Sequence, residues 1–130
     1  MYKYSEKSKE RLKSVHPYLQ LICNKLIEIY DCTIIEGYRN EEKQNNYFNG
    51  GKSKFKFPDS KHNRSPFSLA VDVSPFPIDW NNRERFVYMA GLIKGIASIY
   101  NLDIRWGGDW DSDNDLKDQN FNDLPHFELK

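Results

Sequence analysis

The chain has 130 residues, a length that suits one domain around a single hydrophobic core. Its 19 lysines and arginines balance its 19 aspartates and glutamates, so no net charge attracts nucleic acid or an anionic membrane. No apolar run approaches the ~20 residues that a membrane span needs. We therefore expect a single catalytic domain over residues 1–130, without nucleic-acid partners or membrane insertion, and we expect it to be a monomer.

The first residues and the two cysteines bear on where the protein is made. Residues 1–13 mix charged and apolar side chains, so they do not resemble an export signal, and synthesis in the cytosol is expected. Cys23 and Cys32 lie in apolar stretches and form no Cys-x-x-Cys pair. Reduced, buried thiols are therefore predicted rather than a disulfide or a zinc site.

The first half of the chain is predicted to contain three helices and one strand. Ser5 can cap a short first helix, and Pro17 suits the first turn of a second. Apolar residues recur at helical spacing from Leu19 to Tyr30, which predicts that this second helix faces a core. A buried strand is predicted at residues 32–35, a helix at 41–48 and a basic loop at 52–59.

The second half is predicted to combine short strands with one long helix. Residues 69–73 are apolar and partly β-branched, which favours a central strand that carries Asp72. Asn81 or Asn82 can cap a helix that runs to about Tyr100. Strands are predicted at residues 102–106 and 126–129, on either side of an acidic loop. The pattern predicts an α+β fold in which helices pack on a small, mainly antiparallel sheet.

His62, Asp72 and His126 form a candidate metal site. A hydrolytic zinc site needs three nitrogen or oxygen ligands from the protein and one open position for water, and these residues can supply that set. From their spacing alone, however, ordinary surface or hydrogen-bonded residues are the better interpretation of all three.

Several motifs, which occur in a fixed order along the chain, favour the metal site over that ordinary interpretation. They are Ser60-Lys61-His62, Ser68-Leu69-Ala70-Val71-Asp72 and Asp123-Leu124-Pro125-His126-Phe127-Glu128, together with Glu36-Gly37-Tyr38-Arg39 and Arg105-Trp106-Gly107-Gly108-Asp109-Trp110. The chain resembles, over nearly its whole length, the family of D-alanyl-D-alanine carboxypeptidases and L-alanyl-D-glutamate endopeptidases. That family includes phage endolysins and shares its zinc-site architecture with VanY-type enzymes and hedgehog domains. The resemblance implies a hedgehog-like or D-Ala-D-Ala peptidase-like α+β fold.

The resemblance also implies roles for individual residues. His62, Asp72 and His126 would bind zinc, Asp123 would be the catalytic carboxylate, and Arg39 would stabilise the developing oxyanion. A zinc ion on two neutral imidazoles and a carboxylate lowers the pKa of water towards ~7. Asp123 could then move its proton to the leaving amine. Without the resemblance, a turn-capping aspartate is an equally good interpretation of Asp123, and a surface arginine is a better one of Arg39.

Five further residues are assigned to the surroundings of this site. Ser60, Gln44 and Trp106 are predicted to contact the substrate, with an indirect supporting role as the alternative for Gln44. Trp106 and Trp110 flank a Gly-Gly turn and are together candidates for a wall of the substrate groove. Glu128 lies on the same side of its strand as His126 and is predicted to orient that imidazole. Each residue also has an ordinary interpretation as part of a loop, a solvated helix, the core or an edge strand.

The loop after residue 108 is acidic. Asp109, Asp111, Asp113, Asp115 and Asp118 stand at mostly alternate positions, which suits a hard cation such as calcium. Leu116 and Asn122 occupy the positions where an EF-hand loop requires glycine and glutamate. A solvated, charged loop is therefore expected.

The predicted function is that of a zinc-dependent peptidoglycan peptidase, an endolysin that cuts the L-alanyl-D-glutamate bond of the stem peptide. One alternative keeps the chemistry and makes the protein a D-alanyl-D-alanine carboxypeptidase. A second alternative is a non-catalytic binding module in which zinc only stabilises the fold. In the leading interpretation the enzyme is made in the cytosol and acts on the cell wall after release.

Overall fold

The computed structural model describes residues 1–117 and 122–130. It consists of helices packed on one antiparallel sheet, which confirms the predicted α+β class. The helices are α1 (Glu6–Lys13), α2 (Pro17–Ile29), α3 (Glu41–Asn49) and α4 (Arg83–Ile99), the strands are β1 (Cys32–Glu36), β2 (Ala70–Pro75), β3 (Ile104–Gly107) and β4 (Asp123–Leu129), and a short 3-10 turn spans Lys61–Asn63.

The sheet has the strand order β1-β2-β4-β3, and every neighbouring pair is antiparallel. Asp72 in β2 pairs with Glu36 in β1 and with His126 in β4. Paired residues on neighbouring strands project to the same face of a sheet. The register therefore places these three polar side chains side by side on one face.

The other face of the sheet carries the hydrophobic core. Ile34, Val71, Val73 and Phe127 are buried there together with apolar residues of α2 and α4, and α4 contacts β2, β3 and β4. Side chains alternate between the faces of a strand, so Phe127 enters the core between two polar neighbours. The same alternation sends those neighbours towards the opposite, polar face.

Side chains cap the helices as expected from sequence. Ser5 accepts from the backbone N–H of Ser8 at the start of α1, and Asn82 does the same for Arg85 at the start of α4. His16 caps α2 by accepting from the N–H of Tyr18, a structural role. None of the described helices is both long and apolar enough to cross a membrane.

The two cysteines match the sequence prediction, whereas the last strand begins earlier than predicted. Cys23 and Cys32 are free and buried, as predicted. The last strand begins at Asp123, three residues before the predicted start, because residues 123–125 do not show the alternation of a half-buried strand. Asp123 pairs instead with Gly107 across an irregularity in the β3–β4 register.

Candidate metal centre and active site

Three side chains singled out from the sequence meet at one point. His62 comes from the 3-10 turn, Asp72 from β2 and His126 from β4, and all three are buried. His62 Nε2 lies 3.2 Å from Asp72 Oδ1 and 3.3 Å from His126 Nδ1. His126 Nδ1 lies 3.3 Å from Asp72 Oδ1. The three atoms form a nearly equilateral triangle, close enough to share one ion.

The turn that carries His62 is fixed by its neighbours. Ser60 Oγ accepts from the backbone N–H of His62, and Asn63 Oδ1 accepts from the N–H of Ser60, so the two ends of the turn cap each other. Asn63 also donates to the carbonyl of Arg39, whose own N–H donates to the carbonyl of His62. These bonds attach the turn to the segment after β1 and hold the imidazole in place.

In each imidazole, the outer nitrogen, which faces away from the triangle, is hydrogen-bonded to oxygen, and the inner nitrogen is the one in the triangle. His62 Nδ1 donates to the carbonyl of Gly37 at 2.8 Å, and His126 Nε2 donates to Glu128 Oε1 at 2.8 Å. In neutral rings the inner nitrogens then carry lone pairs. Two lone pairs and the Asp72 carboxylate therefore face one another, an arrangement that requires either added protons or a cation between them.

The size of this triangle tests whether zinc fits. Ligand atoms in tetrahedral sites lie about 2.0–2.1 Å from zinc, so neighbouring ligand atoms are roughly 3.3 Å apart. The observed separations are 3.2, 3.3 and 3.3 Å. Two imidazoles and a carboxylate are also a donor set that catalytic zinc sites use, and hydrogen bonds to the outer nitrogens are typical of metal-bound histidines. The residues present fit a zinc ion.

The charges of the cluster support each other. Burial disfavours a charge on Asp72, but His62 and His126 together hold the pKa of its carboxyl well below the usual range. Burial also disfavours a charge on His126, but its bonds to Asp72 and Glu128 outweigh that effect and raise its pKa to about 9. The pocket therefore holds positive charge strongly, whether that charge is a proton or a metal ion.

Asp123 lies at the edge of the triangle, where β4 begins. Its Oδ2 is 3.9 Å from His126 Nδ1, and its side chain is 37% exposed. Burial, followed by the charge on Asp72, raises the pKa of Asp123 above its ordinary value. A carboxyl group that borders open space and binds a proton more tightly than usual is suited to proton transfer.

Arg39 lies behind the cluster. Its NH1 donates to Gln44 Oε1 at 2.9 Å, and its NH2 donates to Glu36 Oε2 at 2.9 Å. The same NH2 lies 3.8 Å from Asp72 Oδ2, and the guanidinium stacks over the ring of Tyr47. Arg39 lines the groove, but its side chain also contacts Glu36, Gln44 and Tyr47 and approaches the carboxylate of Asp72.

Glu128 connects His126 to two cations. Its Oε1 accepts from His126, while its Oε2 lies 3.3 Å from Lys61 Nζ and 3.5 Å from Arg105 NH1. Burial opposes its charge, but His126 and Lys61 hold the pKa of Glu128 below its ordinary value. Glu128 thus occupies the position expected of a residue that orients the imidazole. Lys61 and Arg105 were not singled out, although both lie within the quoted motifs.

A groove with a volume of about 360 Å³ opens onto the triangle. Asp123, His62, His126 and Ser60 line it, as does Trp110, whose ring centroid is 5.3 Å from that of His126. Ser60 thus borders the space that a substrate would fill.

Trp106 lies elsewhere than predicted. It is buried in the core, stacks on Phe127 and donates from Nε1 to the carbonyl of Leu124. The expected substrate contact of Trp106 does not fit this position. Trp110, the other tryptophan of the same motif, is the one beside the groove, and the sequence alone does not distinguish which ring is turned inward.

Gln44 also differs from expectation, because it has no exposed surface. Its Oε1 accepts from Arg39 and Asn63, and its Nε2 donates to Ser53 Oγ and to the carbonyl of Phe55. A substrate could not reach this amide without displacing those partners. The alternative, an indirect supporting role, is the one that its geometry supports.

The acidic loop is only partly solvated. Asp111 and Asp113 are exposed, but Asp109 is buried and its Oδ2 accepts from the N–H of Asn114. One carboxylate oxygen from each of the three aspartates lies within 4.8 Å of the others. Asp118, the last residue of the predicted acidic stretch, lies outside the described residues.

The fold is shared with a peptidase of known structure. The crystal structure of the Serratia marcescens L-Ala D-Glu endopeptidase ChiX matches with a TM-score of 0.73 and 23% sequence identity, over 99% of this chain and 91% of that chain. No curated protein matches the chain. The likeness shows the fold class, an α+β fold shared with that protein, and in this chain the fold carries a candidate metal centre in a groove.

The sequence then identifies the family. The model of the family described as phage L-alanyl-D-glutamate peptidase matches residues 1–130, which is the whole chain. The protein belongs to this family and is a peptidase. The family, the fold class and the enzyme class predicted from the sequence are therefore confirmed.

Proposed function

We propose that this protein, a peptidoglycan endopeptidase of the endolysin kind by its family, hydrolyses the L-alanyl-D-glutamate bond with a zinc ion held by His62, Asp72 and His126. The observation that carries the proposal is the triangle of three ligand atoms 3.2 to 3.3 Å apart beside an open groove. A zinc ion there would supply a water molecule of lowered pKa and polarise the peptide carbonyl.

The remaining residues have complementary roles in this proposal. Asp123 takes a proton from the attacking water and gives it to the leaving amine, a role that its position beside His126 on the groove lining supports. Arg39 and Glu128 orient two of the proposed ligands: Arg39 forms an ion pair with Asp72, and Glu128 accepts a hydrogen bond from His126. Stabilisation of the oxyanion by Arg39 is a second role for a side chain that also lines the groove.

Ser60 and Trp110 supply the walls next to the ligands, and Gln44 secures Arg39. The whole chain would act as one catalytic domain on the peptide part of the cell wall. In this proposal the enzyme is made in the cytosol and reaches the wall after release.

A wall-lysis assay with and without a chelator tests metal, reaction and bond together. Lysis should stop when zinc is removed and return when zinc is restored. New peptide termini should be the amino groups of D-glutamate. Release of free D-alanine instead would identify a D-alanyl-D-alanine carboxypeptidase, and lysis that persists without metal would refute the zinc mechanism.

The substitution Asp123→Ala separates catalysis from structure. We expect kcat to fall by about 10²–10⁴, the usual worth of a positioned acid or base, while bound zinc stays at one ion per chain. Asp103→Asn is a matched control, because Asp103 is an exposed partner of Lys130 outside the groove. Unchanged lysis by Asp123→Ala with zinc still bound would mean that Asp123 is not the catalytic group.

A further inference from the structure

Beside the metal centre, one carboxylate oxygen faces two cations. Lys61 Nζ and Arg105 NH1 both approach Oε2 of Glu128, at 3.3 and 3.5 Å, while the other oxygen of Glu128 is taken by His126. The two positive side chains therefore share a single carboxylate oxygen of Glu128. The cluster of Lys61, Arg105 and Glu128 has one uncompensated positive charge.

This excess charge lies in the groove and is partly shielded from water. The three residues all line the groove that also contains Asp123 and His126. The side chains of Lys61 and Arg105 are only 25% and 39% exposed. Lys61 Nζ is further fixed because it donates to the carbonyl of Leu129. A cation that is held in place and half-desolvated attracts an anion more strongly than a mobile surface lysine does.

Arg105 has unused donor capacity. Its side chain pairs with Glu128 through NH1 and is 39% exposed on the groove lining. A guanidinium offers five N–H donors in a planar fork that matches a carboxylate. A second carboxylate placed between Arg105 and Lys61 would neutralise the positive charge of the cluster that Glu128 does not neutralise.

The proposed substrate carries such a carboxylate next to the bond that is cut. A glutamyl residue has two carboxyl groups, of which only one continues the peptide. The other remains as a free carboxylate or is capped as an amide. In an L-alanyl-D-glutamate bond this group belongs to the residue that supplies the leaving amine, so it lies within a few bonds of the reacting atoms.

We propose that Lys61 and Arg105 form a subsite for the free carboxylate of the D-glutamyl residue and make the enzyme prefer that form over the amidated one. The inference rests on the proposed function and goes beyond it, because it assigns the specificity for one chemical form of the wall to two named side chains. Lys52 and Arg64 line the same groove and add to its positive potential, which Asp59 and Asp123 partly offset.

Two synthetic peptides test the subsite. Both contain L-alanine linked to D-glutamate that continues through its side-chain carboxyl to L-lysine, and they differ only in a free carboxylate or a carboxamide at D-glutamate. We expect wild-type kcat/KM to favour the free carboxylate by roughly tenfold, mainly through KM, as expected for the loss of a bond to a charged group. Equal cleavage of both peptides would overturn the subsite and leave the proposed function standing.

Variants then locate the preference. Arg105→Gln should lower the ratio of the two kcat/KM values to about 1–3, and Arg105→Lys should retain part of it. Arg83→Gln, on the exposed start of α4 outside the groove, should keep the wild-type ratio. A wild-type ratio in folded Arg105→Gln would overturn the assignment. Cleavage of neither peptide by the zinc-loaded wild type would overturn the proposed function and the subsite together.

Discussion

Single residues in this protein can act on the site through the backbone, and Gly107 is the clearest case. It pairs with Asp123 across the irregular end of β3 and β4. A Cβ added at Gly107 would lie 2.1 Å from the carbonyl oxygen of Asp123 and 3.0 Å from its Cβ. Glycine is required there because the neighbouring backbone is too close for any side chain.

We therefore predict that Gly107→Ala both destabilises the protein and impairs catalysis. The backbone of Asp123 has to move, so the free energy of unfolding should fall by about 1–3 kcal/mol, and kcat/KM should fall at least roughly tenfold because catalysis is sensitive to small displacements. Urea unfolding and peptide hydrolysis measure the two effects.

Gly95→Ala is the matched control for that substitution. A Cβ at Gly95, on the exposed side of α4, meets no atom within 4 Å among the described residues. Alanine should stabilise the helix by about 0.4–1 kcal/mol and leave hydrolysis unchanged. A Gly107→Ala protein as stable and active as wild type would show that β4 tolerates a shift at Asp123.

At the scale of elements, α3 secures one wall of the groove through a single side chain. Gln44 is the one fully buried polar residue of α3, and it joins Arg39 to the loop at residues 52–59 by bonds to Ser53 and Phe55. That loop contains three lysines and contributes several groove-lining residues. The position of the wall therefore depends on this amide.

Replacing Gln44 by alanine should release the loop. Buried donors and acceptors lose their partners, so we expect the free energy of unfolding to fall by about 2–4 kcal/mol. The lysines of the loop should also become faster sites of trypsin cleavage. Asn46→Ala, an exposed position on the same helix, should change neither measurement by much. Equal trypsin resistance of the two variants would contradict the link between α3 and the loop.

The elements were more predictable from the sequence than the contacts between them. α2 and α4 show apolar residues at helical spacing, which is a local signal, and both were predicted nearly to their ends. The burial of Gln44 had no such local signal. A glutamine on a polar helix is normally predicted to be solvated, and the partners that bury Gln44 come from other segments of the chain. Trp106 and Trp110 likewise have the same chemistry, and only the bend after β3 decides which ring is buried.

The candidate site was predictable for a different reason. His62, Asp72 and His126 are 10 and 54 residues apart, so no local pattern joins them, and the resemblance of whole motifs supplied the connection. The role of Arg105 was not predictable in the same way, because it depends on the pairing of Arg105 with Glu128 across β3 and β4. Cross-strand neighbours follow from register, which sequence alone does not fix.

For the whole molecule, the metal centre ties stability to pH when no metal is bound. The pKa of His126 is raised from 6.5 to about 9 in the folded protein, so the folded state binds this proton more tightly than the unfolded state. The stabilisation is complete below about pH 6.5 and is lost as the pH rises through about 9. It is on the order of 3 kcal/mol.

Urea unfolding in the presence of EDTA should therefore show a free energy of unfolding that falls between pH 6.5 and pH 9. In the proposed site a zinc ion would take the place of the proton, so the zinc-loaded protein should lose this fall, and metal-free His126→Gln should lose it too. Stability that rises with pH in metal-free wild type would contradict the assignment of His126 as a buried, readily charged imidazole.

The position of β4 inside the sheet, between β2 and β3, governs when the enzyme becomes competent during translation. The ribosome releases β1, β2 and β3 before residues 123–129, which bring both His126 and Asp123. Until that segment emerges, the nascent chain has a gap in its sheet, and His62 and Asp72 lack the third member of the candidate metal site. Hydrolytic competence therefore requires residues 123–129 to enter the middle of the sheet.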